Sequence, residues 1–272
     1  MAAKRLYIIL MMMAFFSCED VIQVDLPTSD PRLIIDANFS VFFNEDPVTM
    51  EGSVILKLSA PFYQETLEPA NNAIVFITNT NDGSIYEFEE NGSTGIYEPK
   101  EPYDLPNFND AYELTVQYEG EIYKGSANLI ASVPIDEISQ GDGTLFTGDE
   151  TEVIVKFTDD GSSDDYYLFD LDFDLYLPTE DRFYQGEQFV FSYFYEDLAP
   201  GKEVIITING VDRQFYNYMT ILIDQSGQNG GGPFESVPST IRGNMVNTTH
   251  PDNYPLGYFS MAEANRLSLI IE

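Results

Sequence analysis

Few side chains in this 272-residue chain can do chemistry by themselves. It has one cysteine, Cys18, and one histidine, His250, against 46 Asp and Glu. One cysteine forms no intrachain disulfide, and the usual Cys and His sets that hold zinc cannot be assembled. A Ser-His-Asp triad would have to draft His250, which precedes Pro251 and Asp252 in a polar loop and has no nucleophile-elbow serine to serve. Gly230-Gly231-Gly232 follows a helical pattern and not a strand, so it reads as a linker and not as a phosphate loop. Paired carboxylates can run glycoside hydrolysis, yet with so many acids suitable pairs arise by chance and the sequence designates none. The absence of tryptophan removes the largest stacking surface for a sugar, although 18 tyrosines could substitute.

The acids cluster in one place. Asp159, Asp160, Asp164 and Asp165 crowd a turn, and Asp170, Asp172 and Asp174 alternate along the segment after it. One reading is a solvated outer face; the sharper one is a weak calcium site, since hard cations gather oxygen ligands and clustered carboxylates repel one another without one. Same-face neighbours on a strand stand about 6.6–6.8 Å apart, too far for Asp170, Asp172 and Asp174 to grip one ion. The turn acids Asp159, Asp160, Asp164 and Asp165 are therefore the candidate ligands, and no other cofactor is expected. A second concentration is aromatic: Phe183 to Tyr195 includes Phe189, Phe191, Tyr193, Phe194 and Tyr195. It reads either as core packing of a long hairpin or as a docking surface, with Phe191 and Tyr193 as candidate partner contacts.

The elements that must position these residues are strands. Glu113 to Tyr118, Glu152 to Phe157 and Phe169 to Leu177 all alternate apolar and polar residues at period two. Asn81-Asp82-Gly83, Asn91-Gly92, Glu119-Gly120, Asp160-Gly161 and Asn209-Gly210 supply the turns between strands. Seven strands between Arg32 and Leu129 predict an immunoglobulin-like β-sandwich over 31–132, a connection over 133–149, and a second β-rich domain over 150–272. Phe215, Met219, Leu222 and Ile223 share one helical face, which predicts a single carboxy-terminal helix near 211–225. The expected fold is all-β: two sandwich-like domains in series.

Composition bounds the partners. A net charge of −34 with 43% hydrophobic and 14% aromatic residues describes a globular chain with an acidic coat, and it excludes nucleic acid as a main partner. At the amino end, Lys4 and Arg5 precede an apolar run of 11 residues, Leu6 to Phe16, that meets Ser17 and Cys18 and stops at Glu19-Asp20. That is the layout of a signal peptide over 1–17, too short for the roughly 20 residues that span a bilayer. The Ser17-Cys18 junction resembles the lipobox of bacterial lipoproteins, with Phe15 where leucine is commoner. The resemblance implies an acylated Cys18, a tether over 18–30, and anchoring in outer-membrane lipid. Glu19 and Asp20 resemble the acidic signal that sends Bacteroidota lipoproteins to the cell surface.

The tract Glu19-Asp20-Val21-Ile22-Gln23-Val24-Asp25-Leu26-Pro27, the strands Pro31 to Asp36 and Val54 to Ser59, and Ile241-Arg242-Gly243-Asn244 with Leu256-Gly257-Tyr258-Phe259-Ser260 carry a further resemblance. They are similar to a Bacteroidota outer-membrane lipoprotein family, a domain of unknown function, whose genes often stand beside a TonB-dependent receptor. The resemblance implies a TonB-dependent β-barrel receptor as partner and assigns no catalytic residue. The expected function is a non-enzymatic outer-membrane lipoprotein, accessory to or a binding component of a surface uptake system. A surface adhesive or structural lipoprotein and a β-sandwich hydrolase using paired carboxylates are the alternatives.

Overall fold

The alternation in Leu33–Phe42 (β1) is real in three dimensions: Leu33, Ile35, Ala37, Phe39 and Val41 are buried, while Asp36 and Asn38 face the other way. The computed structural model describes residues 30–61, 64, 66–100, 104–145, 148–196, 198–226 and 241–272. After β1 come Thr49–Leu58 (β2), Glu68–Pro69 (β3), Ile74–Asn79 (β4), Ile85–Glu90 (β5), Ile96–Pro99 (β6), Ala111–Tyr118 (β7) and Glu121–Ile130 (β8). The second half of the chain holds Ile135–Gln140 (β9), Thr151–Thr158 (β10), Tyr166–Asp170 (β11), Tyr176–Glu180 (β12), Gln188–Tyr195 (β13) and Glu203–Val211 (β14). The helix Arg213–Ser226 (α1), Val246–Asn247 (β15) and the 15-residue strand Leu256–Ile270 (β16) complete it.

The expected pair of sandwiches in series is overturned by β16. Its first half pairs parallel with β1, from Ile34↔Leu256 to Val41↔Glu263, and parallel with β8 at Met261↔Leu129 and Ala262↔Ile130. The order β16-β1-β2-β6-β5-β4-β7-β8 thereby returns to β16, and the strands read as an immunoglobulin-like sandwich form an eight-strand barrel. Closure removes the two open edges that a seven-strand sheet would present. Phe39 lies inside, edge-on to Phe88 at 5.8 Å and to Phe259 at 6.3 Å. Each such pair adds about 0.5–1.5 kcal/mol beyond its buried area.

The second half of β16 leaves the barrel and pairs antiparallel with β14, from Asn209↔Ala264 to Glu203↔Ile270; β14 then pairs with β11, and β11 with β12. One face of this extension is covered by the separate sheet β13-β10-β9, and between them lies a second core with Phe157 at its centre. Tyr167, Phe169, Tyr184 and Phe189 surround that ring at 5.3–6.1 Å. The other face carries α1, which buries Phe215, Met219 and Ile223 against Leu168, Val211 and Tyr258. Asp212 starts the helix by accepting the Phe215 N–H at 2.7 Å. Since β16 belongs to both the barrel and the extension, Pro31–Glu272 is one compact unit.

The single strand expected over Phe169 to Leu177 is also corrected. Asp172, Phe173 and Asp174 take φ of 66°, 53° and 60°, a left-handed turn that separates β11 from β12. Aspartates make the turn because their side chains bond its backbone: Asp170 Oδ1 accepts the Asp172 N–H at 2.9 Å and Asp172 Oδ1 the Phe173 N–H at 2.9 Å, while Asp172 Oδ2 ties the turn to β14 through the Ile205 N–H at 3.2 Å. Leu171 and Leu175 then face each other across the turn, with Leu171 N–H donating to Leu175 O at 2.8 Å, so period two survives in the sequence although the strand does not.

Candidate functional site

Where the barrel wall runs into the extension under α1, the structure holds a cavity of about 730 Å³. Its floor is the outward row of β1, Ile34, Asp36, Asn38 and Ser40, beside the outward row of β16, Leu256, Tyr258, Ser260 and Ala262. Asp170, Tyr176 and Asn209 come from β11, β12 and β14, and Phe215, Tyr218, Met219 and Leu222 from the helix. The polar floor is internally bonded. Asn38 donates to Asp36 at 2.5 Å and accepts from Ser260 at 2.6 Å, while Ser40 donates to Asn209 at 2.8 Å. Apolar walls with a few convergent polar groups, at this volume, are the composition of small-molecule sites.

Burial raises the pKa of both cavity carboxylates. Asp36 keeps a path to solvent, yet the surrounding protein desolvates it, and Lys57 only partly opposes the rise. Asp170 is raised by burial, against the Asp172 N–H bond and with help from Asp172 and Asp174. The Tyr176 hydroxyl is raised by burial and then by Asp170, Asp174 and Asp36, so both cavity carboxylates act on it. Tyr218 is pushed up to about 12 by burial and by Asp36. Tyr258 is 2% exposed, and its buried hydroxyl has no hydrogen-bond partner of normal geometry, although Asp212 lies close enough to raise its pKa after burial.

A second cluster gathers Asp159, Asp165 and Asp181, with one carboxylate oxygen from each within 4.8 Å of the others. Asp159 and Asp181 are 5% exposed. Asp159 accepts from the Tyr167 hydroxyl at 2.6 Å and the Gly186 N–H at 2.7 Å, and Asp181 accepts the Asp165 N–H at 2.7 Å. Burial raises the Asp165 pKa; a Ser163 bond lowers it, and Asp159, Asp181 and Asp160 add to the rise. These are oxygen donors of the kind a hard cation takes.

A family model described as Domain of unknown function (DUF4249) matches residues 19–267. The chain belongs to the DUF4249 family. No curated protein matches it. Among solved structures it is similar to selenomethionine-substituted chicken interferon gamma receptor alpha chain, 10% identical over 68% of this chain and 90% of that one. The TM-score is 0.19, and the likeness carries no argument.

In this DUF4249 chain the turn acids named from the sequence separate. Asp159 and Asp165 meet, Asp160 and Asp164 stand exposed outside the cluster, and the third member, Asp181, opens the short helical turn Asp181–Phe183 that follows β12. Phe191 packs on Phe169 at 5.0 Å and Tyr193 on Tyr195 at 4.8 Å, both on the core side of β13; the outward aromatic is Phe183, 83% exposed. His250 is a loop residue bonded to Glu121 at 2.7 Å. Cys18, Glu19 and Asp20 lie outside the described residues. The cavity residues Asp36, Asn38, Ser40 and Tyr258 escaped sequence reasoning, because alternate polar positions on a strand look like an ordinary solvated face. The one available signal was the amphipathic helix, whose apolar side had to cover some such face.

Proposed function

We propose that this DUF4249 protein is a non-enzymatic, lipid-anchored outer-membrane protein that binds a small amphipathic ligand in the cavity beneath α1, as an accessory of a surface uptake system. The observation that carries the binding part is the cavity: about 730 Å³, walled by apolar side chains, with a bonded polar floor on one sheet. Burial moves Asp36 and Asp170 in the same direction, whereas an acid and base pair is set up by pushing two carboxylates apart. The lipoprotein part rests on the Leu6 to Asp20 layout, and the TonB-dependent receptor as partner rests on the sequence resemblance alone.

The test uses the full chain, tagged and purified from membranes in mild detergent. Native mass spectrometry should find a retained small molecule, and Leu222→Trp, at a half-open position on the cavity wall, should remove it while melting stays unchanged. Cys18→Ala should release the protein from membranes, and protease added to intact cells should cut the wild type. A wild type that retains nothing and gains no stability from any of a panel of amphiphiles would overturn the binding part. One observation favours a hydrolase reading, namely that two carboxylates share the cavity; hydrolysis of aryl glycosides that disappears in both Asp36→Asn and Asp170→Asn would establish it instead.

A further inference from the structure

The cavity has a sign. Among the described residues its lining includes two carboxylates, Asp36 and Asp170, and no Lys, Arg or His. Both line the same cavity as the Tyr176 hydroxyl. The same lining carries an aromatic wall. Phe215 and Tyr258 have ring centroids 4.7 Å apart, Tyr218 and Tyr258 5.0 Å, and Phe215 and Tyr218 6.1 Å, from two different elements. Aromatic faces attract cations through their quadrupoles, more strongly where water is displaced. Leu168, Met219 and Leu222 add hydrocarbon facing the polar floor of Asn38, Ser40, Asn209 and Ser260, a lining that suits an organic body carrying a polar group. Asn38 and Lys57 answer part of the Asp36 charge and the Asp172 N–H part of that on Asp170; a cation would answer the remainder, whereas an anion would be repelled.

We infer that the ligand of this cavity is an organic cation: an ammonium or guanidinium group held at Asp36, Asp170 and Tyr176, on an apolar body that lies against Phe215, Tyr218 and Tyr258. This rests on the reading of the cavity as a binding site and adds the chemical class. The acidic surface supports it from a distance, because a net charge of −34 concentrates cations around the whole molecule.

The experiment is isothermal titration of the full-length protein in detergent with three probes sharing a phenylbutyl body: the trimethylammonium, the alcohol and the carboxylate. The trimethylammonium should bind at least about tenfold tighter than the alcohol, which is the ratio one well-placed charge supplies at ~1.4 kcal/mol. The carboxylate should bind weakest. Asp36→Asn and Asp170→Asn should each cost the ammonium about tenfold and leave the alcohol unchanged; asparagine keeps an oxygen to cap the Asp172 N–H, and thermal melts verify that both variants fold. Leu222→Trp should weaken all probes that bind. If alcohol and ammonium bind equally, the cavity is a binding site and the cation inference is overturned. If no probe binds and Leu222→Trp changes nothing, the binding reading falls and this inference with it.

Discussion

Gly257→Ala is the most direct test of barrel closure. Gly257 sits in β16 opposite Ile35 of β1 with φ +97°, and a Cβ built on it would overlap the Ile35 carbonyl. Two costs follow. An L-residue forced to positive φ loses roughly 1–2 kcal/mol, and pushing β16 away from β1 costs about 1–3 kcal/mol, as overpacking does elsewhere. The sum is about 2–5 kcal/mol. At about 2–4 °C per kcal/mol for a unit of this size, melting should fall by ~4–20 °C. Gly83→Ala is the matched control, because Gly83 has φ +81° but nothing within reach of a new Cβ, so it carries the backbone cost alone. Circular dichroism melts of the two variants isolate the closure contribution as their difference. Equal losses would mean that β16 does not press on β1 there, and the reasoning from the barrel to the cavity floor would fail with it.

Four other outcomes are expected. Asp36 and Asp170 have folded pKa values above their unfolded ones, so each destabilises the fold as pH rises through that interval; Asp36→Asn should stabilise at neutral pH, lose the advantage in acid, and flatten a pH series of melts. The same protonation removes the negative charge, so trimethylammonium affinity should weaken as pH falls through the raised values. Asp165→Asn should likewise stabilise the protein in chelator by relieving Asp159 and Asp181, and repeating the melts in millimolar calcium tests the cation expectation, whose signature is a rise in wild type that the variant lacks. Phe191→Asp should cost at least the ~3–5 kcal/mol of a core Phe truncation, while Phe183→Asp should stay within about 0.5 kcal/mol, which makes Phe183 the position at which to probe capture of a β-barrel receptor without unfolding the bait.

The strands were legible because period-two alternation is local: Ala111 to Tyr118 reads as a strand within eight residues and is one. The helix was legible for the same reason, since Phe215, Met219 and Ile223 declare a face. What local pattern cannot carry is the partner of a strand. Leu129 and Met261 pair across nearly half the chain, and nothing near either residue announces the other, so seven consecutive strands read as a sandwich until an eighth arrives from the carboxy terminus. Aspartate misled in both directions. Asp172 and Asp174 continue the alternation numerically while their backbone turns left-handed, and Asp170, an apparent surface acid, ends in the cavity. Asp181 could not be matched to Asp159 because the turn at Asp172–Asp174 folds β12 back along β11 to bring it there.

The position of the cavity follows from how β16 divides its faces. Its inward side chains Phe259 and Met261 fill the barrel, and farther along Leu269 packs on the second core, so the strand cannot rotate without emptying both. The opposite face is thereby fixed, and Tyr258, Ser260 and Ala262 must stand beside the outward row of β1. The helix cannot seal that floor, because its buried residues Phe215, Met219 and Ile223 are already engaged with Leu168, Val211 and Tyr258 at one side. The gap that remains is lined by barrel strands, by the extension and by the helix. Its polar floor joins Asp36, Asn38 and Ser40 of β1, near the start of the chain, to Ser260 of β16, near the end, so the complete site exists only once β1 and β16 have paired. Contacts of such sequence separation form late because loop closure must precede them. A ligand that binds there therefore stabilises the closed barrel selectively over any partly folded form, and its affinity adds directly to the stability of the β1 and β16 pairing.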